Sequence, residues 1–156
     1  MKEVAVLLHN IRSAYNVGSI FRTCDAAGVT HVYLSGYTPR PIDRFGRSQK
    51  DIAKTALGAE TSVPWHFVKS PGPLLRAARA DGWCIVGIEQ HAHSTDYRAL
   101  KKGERTLFIL GNEVRGISSQ LLANCDEIVE IPMHGKKESL NVSVAAGVVL
   151  FGTLEN

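Results

Sequence analysis

A chain of 156 residues, 44% hydrophobic and 21% charged, is long enough to bury a core as one soluble domain. That composition is ordinary for a soluble globular protein, and three cysteines, an odd number among apolar neighbours, speak against a disulfide framework. The net charge is +3, so neither a strongly basic arm nor an acidic tail dominates.

The opening MKEVAVLLHN carries an apolar run too short for a signal peptide or membrane span, with Glu3 at its edge. No other segment is long enough to span. Residues 4–9 (VAVLLH) read as a first strand. NVGSIFRTCDAAG (16–28) follows as a helix, with Asn16 as the expected cap and Gly28 as its stop. Next comes a short strand, HVYLS (31–35). The segment from Gly36 to Lys54 reads as a loop. It holds Arg40, Arg44, Arg47, Lys50 and Lys54 against Asp43 and Asp51, while the rest of the chain balances to zero. With Tyr37 and Phe45 among those cations, it can contact phosphates and stack bases, or it can be a solvated loop.

SPGPLLRAARADG (70–82) has a helix-starting serine and prolines and a terminal glycine. WCIVGIE (83–89), TLFILG (106–111) and EIVEIP (127–132) are strands, with a short helix, ISSQLLANC, between the last two. The final helix runs from Asn141 to Leu154. Continuous apolar strands alternating with helices indicate an α/β fold, with a mainly parallel sheet flanked by helices. In such sheets ligands bind beyond the carboxyl ends of strands. Three strand ends carry unusual residues: HNIRSAYNVGSIFR, GNEVRG and PMHGKKESLNVS. The two glycines of GNEVRG allow a tight backbone approach around Asn112, Glu113 and Arg115. Ser139, Asn141 and Ser143 sit where the last helix begins, yet one cap needs only one of them. The small Ala145, Ala146 and Gly147 permit close packing of that helix against another element. Cys24, Cys84 and Cys125 read as buried thiols of a reducing, cytoplasmic protein. No CxxC or His-rich spacing supports a metal site.

Together NVGSIFRTCDAAG, LFILGNEVRGIS and VEIPMHGKKESLNVSVAAGVVLF resemble the three motifs of the SPOUT superfamily, in the SpoU/TrmH-type RNA ribose 2′-O-methyltransferases. KTALGAETSVPW (54–65) is similar to the segment after the family's second strand. The resemblance covers nearly the whole chain and implies a single catalytic domain over residues 1–156 with a C-terminal trefoil knot. It implies S-adenosylmethionine as cofactor, at positions matched by Ile88, Gly111, Ile131, Ser139 and Leu140. Arg22 falls at the catalytic arginine, and Asn16, Glu113, Ser139 and Asn141 at the supporting polar positions. It also implies a homodimer acting on RNA, tRNA before rRNA, without metal or membrane. The resemblance leads to the expectation of a bare catalytic domain without the added RNA-binding domain of some relatives, with Arg40, Arg44, Arg47 and Lys50 as the RNA contacts and Arg12, Lys136 and Lys137 next. A non-catalytic RNA-binding protein of the same fold and a SPOUT base methyltransferase are the alternatives.

Overall fold

The computed structural model describes residues 2–101 and 103–154. The domain expected over 1–156 includes Met1, Lys102, Glu155 and Asn156, which lie outside the described residues. Seven strands form one sheet in the order β3-β2-β1-β6-β4-β7-β5, and every pairing is parallel. They are β1 (Glu3–His9), β2 (His31–Ser35), β3 (Trp65–Val68), β4 (Cys84–Ile88), β5 (Thr95–Asp96), β6 (Arg105–Leu110) and β7 (Glu127–Glu130). The helices are α1 (Ala14–Ala27), α2 (Lys50–Ala56), α3 (Ala59–Ser62), α4 (Pro71–Ala80), α5 (Ser119–Leu122) and α6 (Val142–Leu154).

Alternation along the strands sends side chains into two cores. Val4, Val6 and Leu8 of β1 join α1, α2, α3 and α6 on one face, with Phe21, Ile52 and Val149 buried there. Ala5 and Leu7 join α4 and α5 on the other, with Leu75 and Leu122. Burial on both faces explains the unbroken apolar runs of the central strands.

The structure corrects two local expectations. The cap of α1 is Ser13, whose Oγ accepts from the Asn16 N–H at 3.2 Å. Asn16 therefore lies within the first helical turn, and its side chain is free for another use. Gly28 does stop the helix, at φ 72°. The segment from Gly36 to Lys54 is a loop only as far as Gln49, because Lys50 opens α2. Strands β3 and β5, and helices α2 and α3, were not legible. β3 is a half-exposed edge strand of mixed character, and β5 is two residues long. Both owe their order to parallel partners.

The inner side of the largely apolar helix α6 packs against α1 and into the core on that face of the sheet. Ala146, Val149 and Leu150 are buried. A Cβ on Gly147 would lie 3.8 Å from Thr23 Cγ2, so the small segment serves the approach of α6 to α1 within this chain. Val144 and Phe151 stay exposed on its outer side.

Candidate functional site

The neighbours β1, β6, β4 and β7 end side by side, and their carboxyl-end loops meet at one place. The Glu113 carboxylate is the hub. Its oxygens accept from the backbone N–H of Arg12 (2.9 and 3.1 Å) and of Ser13 (3.0 Å), and from Asn16 Nδ2 (3.2 Å). Asn16 Oδ1 in turn accepts from Asn141 Nδ2 at 3.2 Å. Asn141 Oδ1 accepts from the N–H and hydroxyl of Ser143, at 2.8 and 2.6 Å, and so caps α6. One chain of hydrogen bonds thus links the three loops singled out in the sequence. Burial alone would push the Glu113 carboxyl up, but the N–H groups of Arg12 and Ser13 and the Asn16 amide outweigh it. The group is held below the usual carboxylate range.

The two glycines of GNEVRG have separate reasons. A Cβ on Gly111 would lie 2.6 Å from the backbone of Gly116 and Ile117. Gly116 turns at φ 67°, and a Cβ there would meet the Glu89 carboxylate at 2.1 Å. Between them, Asn112 Oδ1 accepts from the N–H of Val114 and Arg115, at 2.9 and 2.8 Å. Asn112 Nδ2 donates to the Asn10 carbonyl at 3.0 Å and to the Tyr37 hydroxyl at 2.9 Å, tying the loop to β1 and to the basic segment.

Beside this hub lies a pocket of about 290 Å³, near the small end of the range for small-molecule sites. All five expected cofactor positions, Ile88, Gly111, Ile131, Ser139 and Leu140, line it. So does Glu113. Four glutamates, Glu89, Glu113, Glu130 and Glu138, are among the lining residues, with no Lys, Arg or His. Such a wall favours a cationic ligand.

The sequence profile of the SpoU rRNA Methylase family matches residues 3–151. The chain belongs to this family. It is 36% identical to the 23S rRNA (guanosine-2′-O-)-methyltransferase of Ralstonia nicotianae over 94% of its own length, and covers 56% of that relative. It is 30% identical to the tRNA (guanosine(18)-2′-O)-methyltransferase of Aquifex aeolicus, covering 96% of this chain and 68% of that one. The AdoMet-bound rRNA methyltransferase of Sinorhizobium meliloti superposes with a TM-score of 0.86 at 30% identity, over 96% of this chain and 55% of the other. The chain thus spans little more than half the length of the first of these relatives.

Two expected site groups of this SpoU-family domain lie away from the pocket. Arg22, on the exposed side of α1, borders a separate depression of about 520 Å³ with Asp25, Ala56, Leu57 and Ser62. Its side chain makes no hydrogen bond or ion pair with any described residue. In the basic segment, the Arg40 guanidinium lies 3.7 Å over the Phe67 ring. Arg44 and Arg47 flank the exposed Phe45 ring at 4.8 and 5.1 Å. Arg47 Nε also donates to Asp43 Oδ2 at 2.9 Å. The Arg47 backbone N–H, donating to Asp43 Oδ1 at 3.0 Å, helps hold that carboxyl below the usual carboxylate range. Lys50 is exposed at the start of α2.

The sequence reading missed Glu89, Gln90, Glu130 and Glu138 as pocket residues. The signal for Glu89 was an acid placed at the carboxyl end of an otherwise apolar strand. All three cysteines are free, but only Cys24 is fully buried, with its thiol pushed up to about 12 by burial. Cys84 and Cys125 are half-buried. Among the described residues no cluster of three or more metal-ligating side chains occurs. No helix of the described residues is long and apolar enough to cross a membrane.

Proposed function

We propose that this chain is the catalytic domain of an S-adenosylmethionine-dependent RNA ribose 2′-O-methyltransferase. The observation that carries the reading is the pocket beside Glu113, lined by all five expected cofactor positions and walled by carboxylates. The donor set suits a ligand bearing a sulfonium and an ammonium. When bound, the cofactor supplies an activated methyl group. Ile88, Gly111, Ile131, Ser139 and Leu140 hold it. In this reading residues 133–140 are the last thread of a trefoil knot; Gln90 Nε2 donates to the Glu138 carbonyl at 2.5 Å.

Arg22, Asn16, Glu113, Ser139 and Asn141 serve the ribose side. A guanidinium with a pKa above ~12 is a poor resting base. Arg22 instead orients the 2′-hydroxyl and its neighbouring phosphate, and stabilises negative charge on the oxygen as the O–CH₃ bond forms, the S–CH₃ bond breaks and the hydroxyl proton passes to solvent water. Arg22 does not line the cofactor pocket of its own chain. In this reading the working enzyme is a homodimer in which a second copy presents its Arg22 to that pocket. The exposed Val144 and Phe151 of α6 supply apolar surface for the contact. The free cysteines suit the cytoplasm.

Incubation with labelled S-adenosylmethionine and unmodified tRNA or rRNA, then nucleoside mass spectrometry, tests the activity. A 2′-O-methylated nucleoside is expected, from tRNA first. Base methylation or no transfer would overturn the reading.

RNA is held by Arg40, Arg44, Arg47 and Lys50, with Phe45 as a stacking ring between two guanidinium groups. Replacing Arg40, Arg44 and Arg47 together with Gln is expected to weaken binding of a tRNA pool. The salt dependence should flatten by a slope of roughly 0.7–0.9 per lost phosphate contact. Cofactor affinity should stay unchanged. An unaltered slope would move the contact to Arg12, Lys136 and Lys137.

A further inference from the structure

We propose that Glu89 and Gln90, just beyond β4, are positioning residues that set the gap between the two loops enclosing the pocket. This rests on the cofactor reading above. Residue 89 continues the β4 register, its N–H donating to the Val129 carbonyl at 3.0 Å. Its carboxylate is used at both oxygens. Oε1 accepts from the Gln90 N–H at 3.0 Å, and Oε2 from the Ile117 N–H at 2.8 Å. Gly116 leaves the space that the carboxylate fills. On the other side, Gln90 Nε2 reaches the Glu138 carbonyl. Two adjacent side chains therefore grip loop 111–117 with one hand and segment 131–141 with the other. All three pieces line the pocket.

Glu113 pulls the 111–117 loop toward β1, and Glu89 pulls it toward β4. The loop is held from both sides by charge-assisted hydrogen bonds, which are about twice as strong as neutral ones. Without the Glu89 tie the loop is left to Glu113, Asn112 and the buried Ile117 side chain, and the pocket is free to widen. A glutamine at 89 cannot substitute. Its single carbonyl oxygen serves one of the two N–H groups and turns an NH₂ toward the other.

The test uses the full chain with Glu89→Gln, Gln90→Ala and, as a control for lost charge, Glu127→Gln on the exposed start of β7. Titration calorimetry with S-adenosylmethionine, amide exchange at Ile117 and steady-state methyl transfer are the readouts. Glu89→Gln is expected to weaken cofactor affinity and raise its KM about tenfold, in the range for residues that orient a site from behind. kcat should stay within about twofold. Exchange at Ile117 should quicken in the unliganded protein. Gln90→Ala should weaken affinity with Ile117 exchange unchanged, and Glu127→Gln should match wild type. Unchanged affinity and unchanged Ile117 exchange in Glu89→Gln would overturn the proposal. So would a fall in kcat at constant KM, the mark of a merely structural role. If Glu89→Gln does not fold, unchanged affinity in Gln90→Ala overturns it. If wild type itself binds no S-adenosylmethionine, the cofactor reading fails, and this proposal with it. If wild type binds it and the variants bind equally, only the proposal falls.

Discussion

Arg22→Ala is expected to lower the rate of methyl transfer by about 10²–10³, the usual cost of removing one group that stabilises transition-state charge. Cofactor affinity should stay within about twofold, because Arg22 borders the depression between α1, α2 and α3 and not the cofactor pocket. Stability should also hold, within about 0.5 kcal/mol, since the side chain is exposed and has no polar partner among the described residues. Arg22→Lys should rescue little, because a point charge does not replace a planar fork aimed at a phosphate and a hydroxyl. Thermal melting, calorimetry and single-turnover transfer separate these quantities. A loss of cofactor binding equal to the loss of rate would remove Arg22 from the ribose side. Mixed dimers sharpen the result. One copy carrying Arg22→Ala and the other a weakened cofactor pocket should retain one fully working site, whereas either variant alone should show only its own reduced rate. No recovery in the mixed dimer would place Arg22 and its cofactor in the same chain.

Gly111→Ala supplies that weakened pocket, and its effect is steric. The added Cβ would sit 2.6 Å from the carbonyl carbon and oxygen of Gly116 and from the Ile117 nitrogen. These are backbone atoms of a loop tied by Glu113, Glu89 and Asn112, so no flexible side-chain end can move aside. Overpacking of this kind costs about 1–3 kcal/mol, or a fall of roughly 2–12 °C in Tm for a domain of this size. Cofactor affinity should drop by more than tenfold, because Gly111 and Gly116 both line the pocket. Gly135→Ala is the matched comparison for stability. A Cβ there meets nothing within 4 Å, and Tm should stay unchanged. Equal melting and equal cofactor binding in Gly111→Ala would show that the 111–117 loop opens more readily than its contacts imply.

Much of this protein was readable from residue order. Continuous apolar runs marked β1, β2, β4, β6 and β7 because strands covered on both faces carry no polar alternation. Glycine and capping residues marked the ends of α1 and α4 to within a few positions. The polar motifs after β1, β6 and β7 pointed to one site, since loops at the carboxyl ends of a parallel sheet share one rim. Other features depended on partners distant in sequence. β3 is a half-exposed edge and is ordered by β2. Ser13 takes the cap of α1, and Asn16 is thereby released to bridge Glu113 and Asn141, 97 and 125 residues away. Glu89 gained its role only because the order β1-β6-β4-β7 sets the end of β4 beside loop 111–117. Local pattern reports the period and burial of each element. It carries no record of which strand lies next to which. That adjacency decided that Glu89 would hold the pocket loop, and the path of α1 decided that Arg22 would lie outside it.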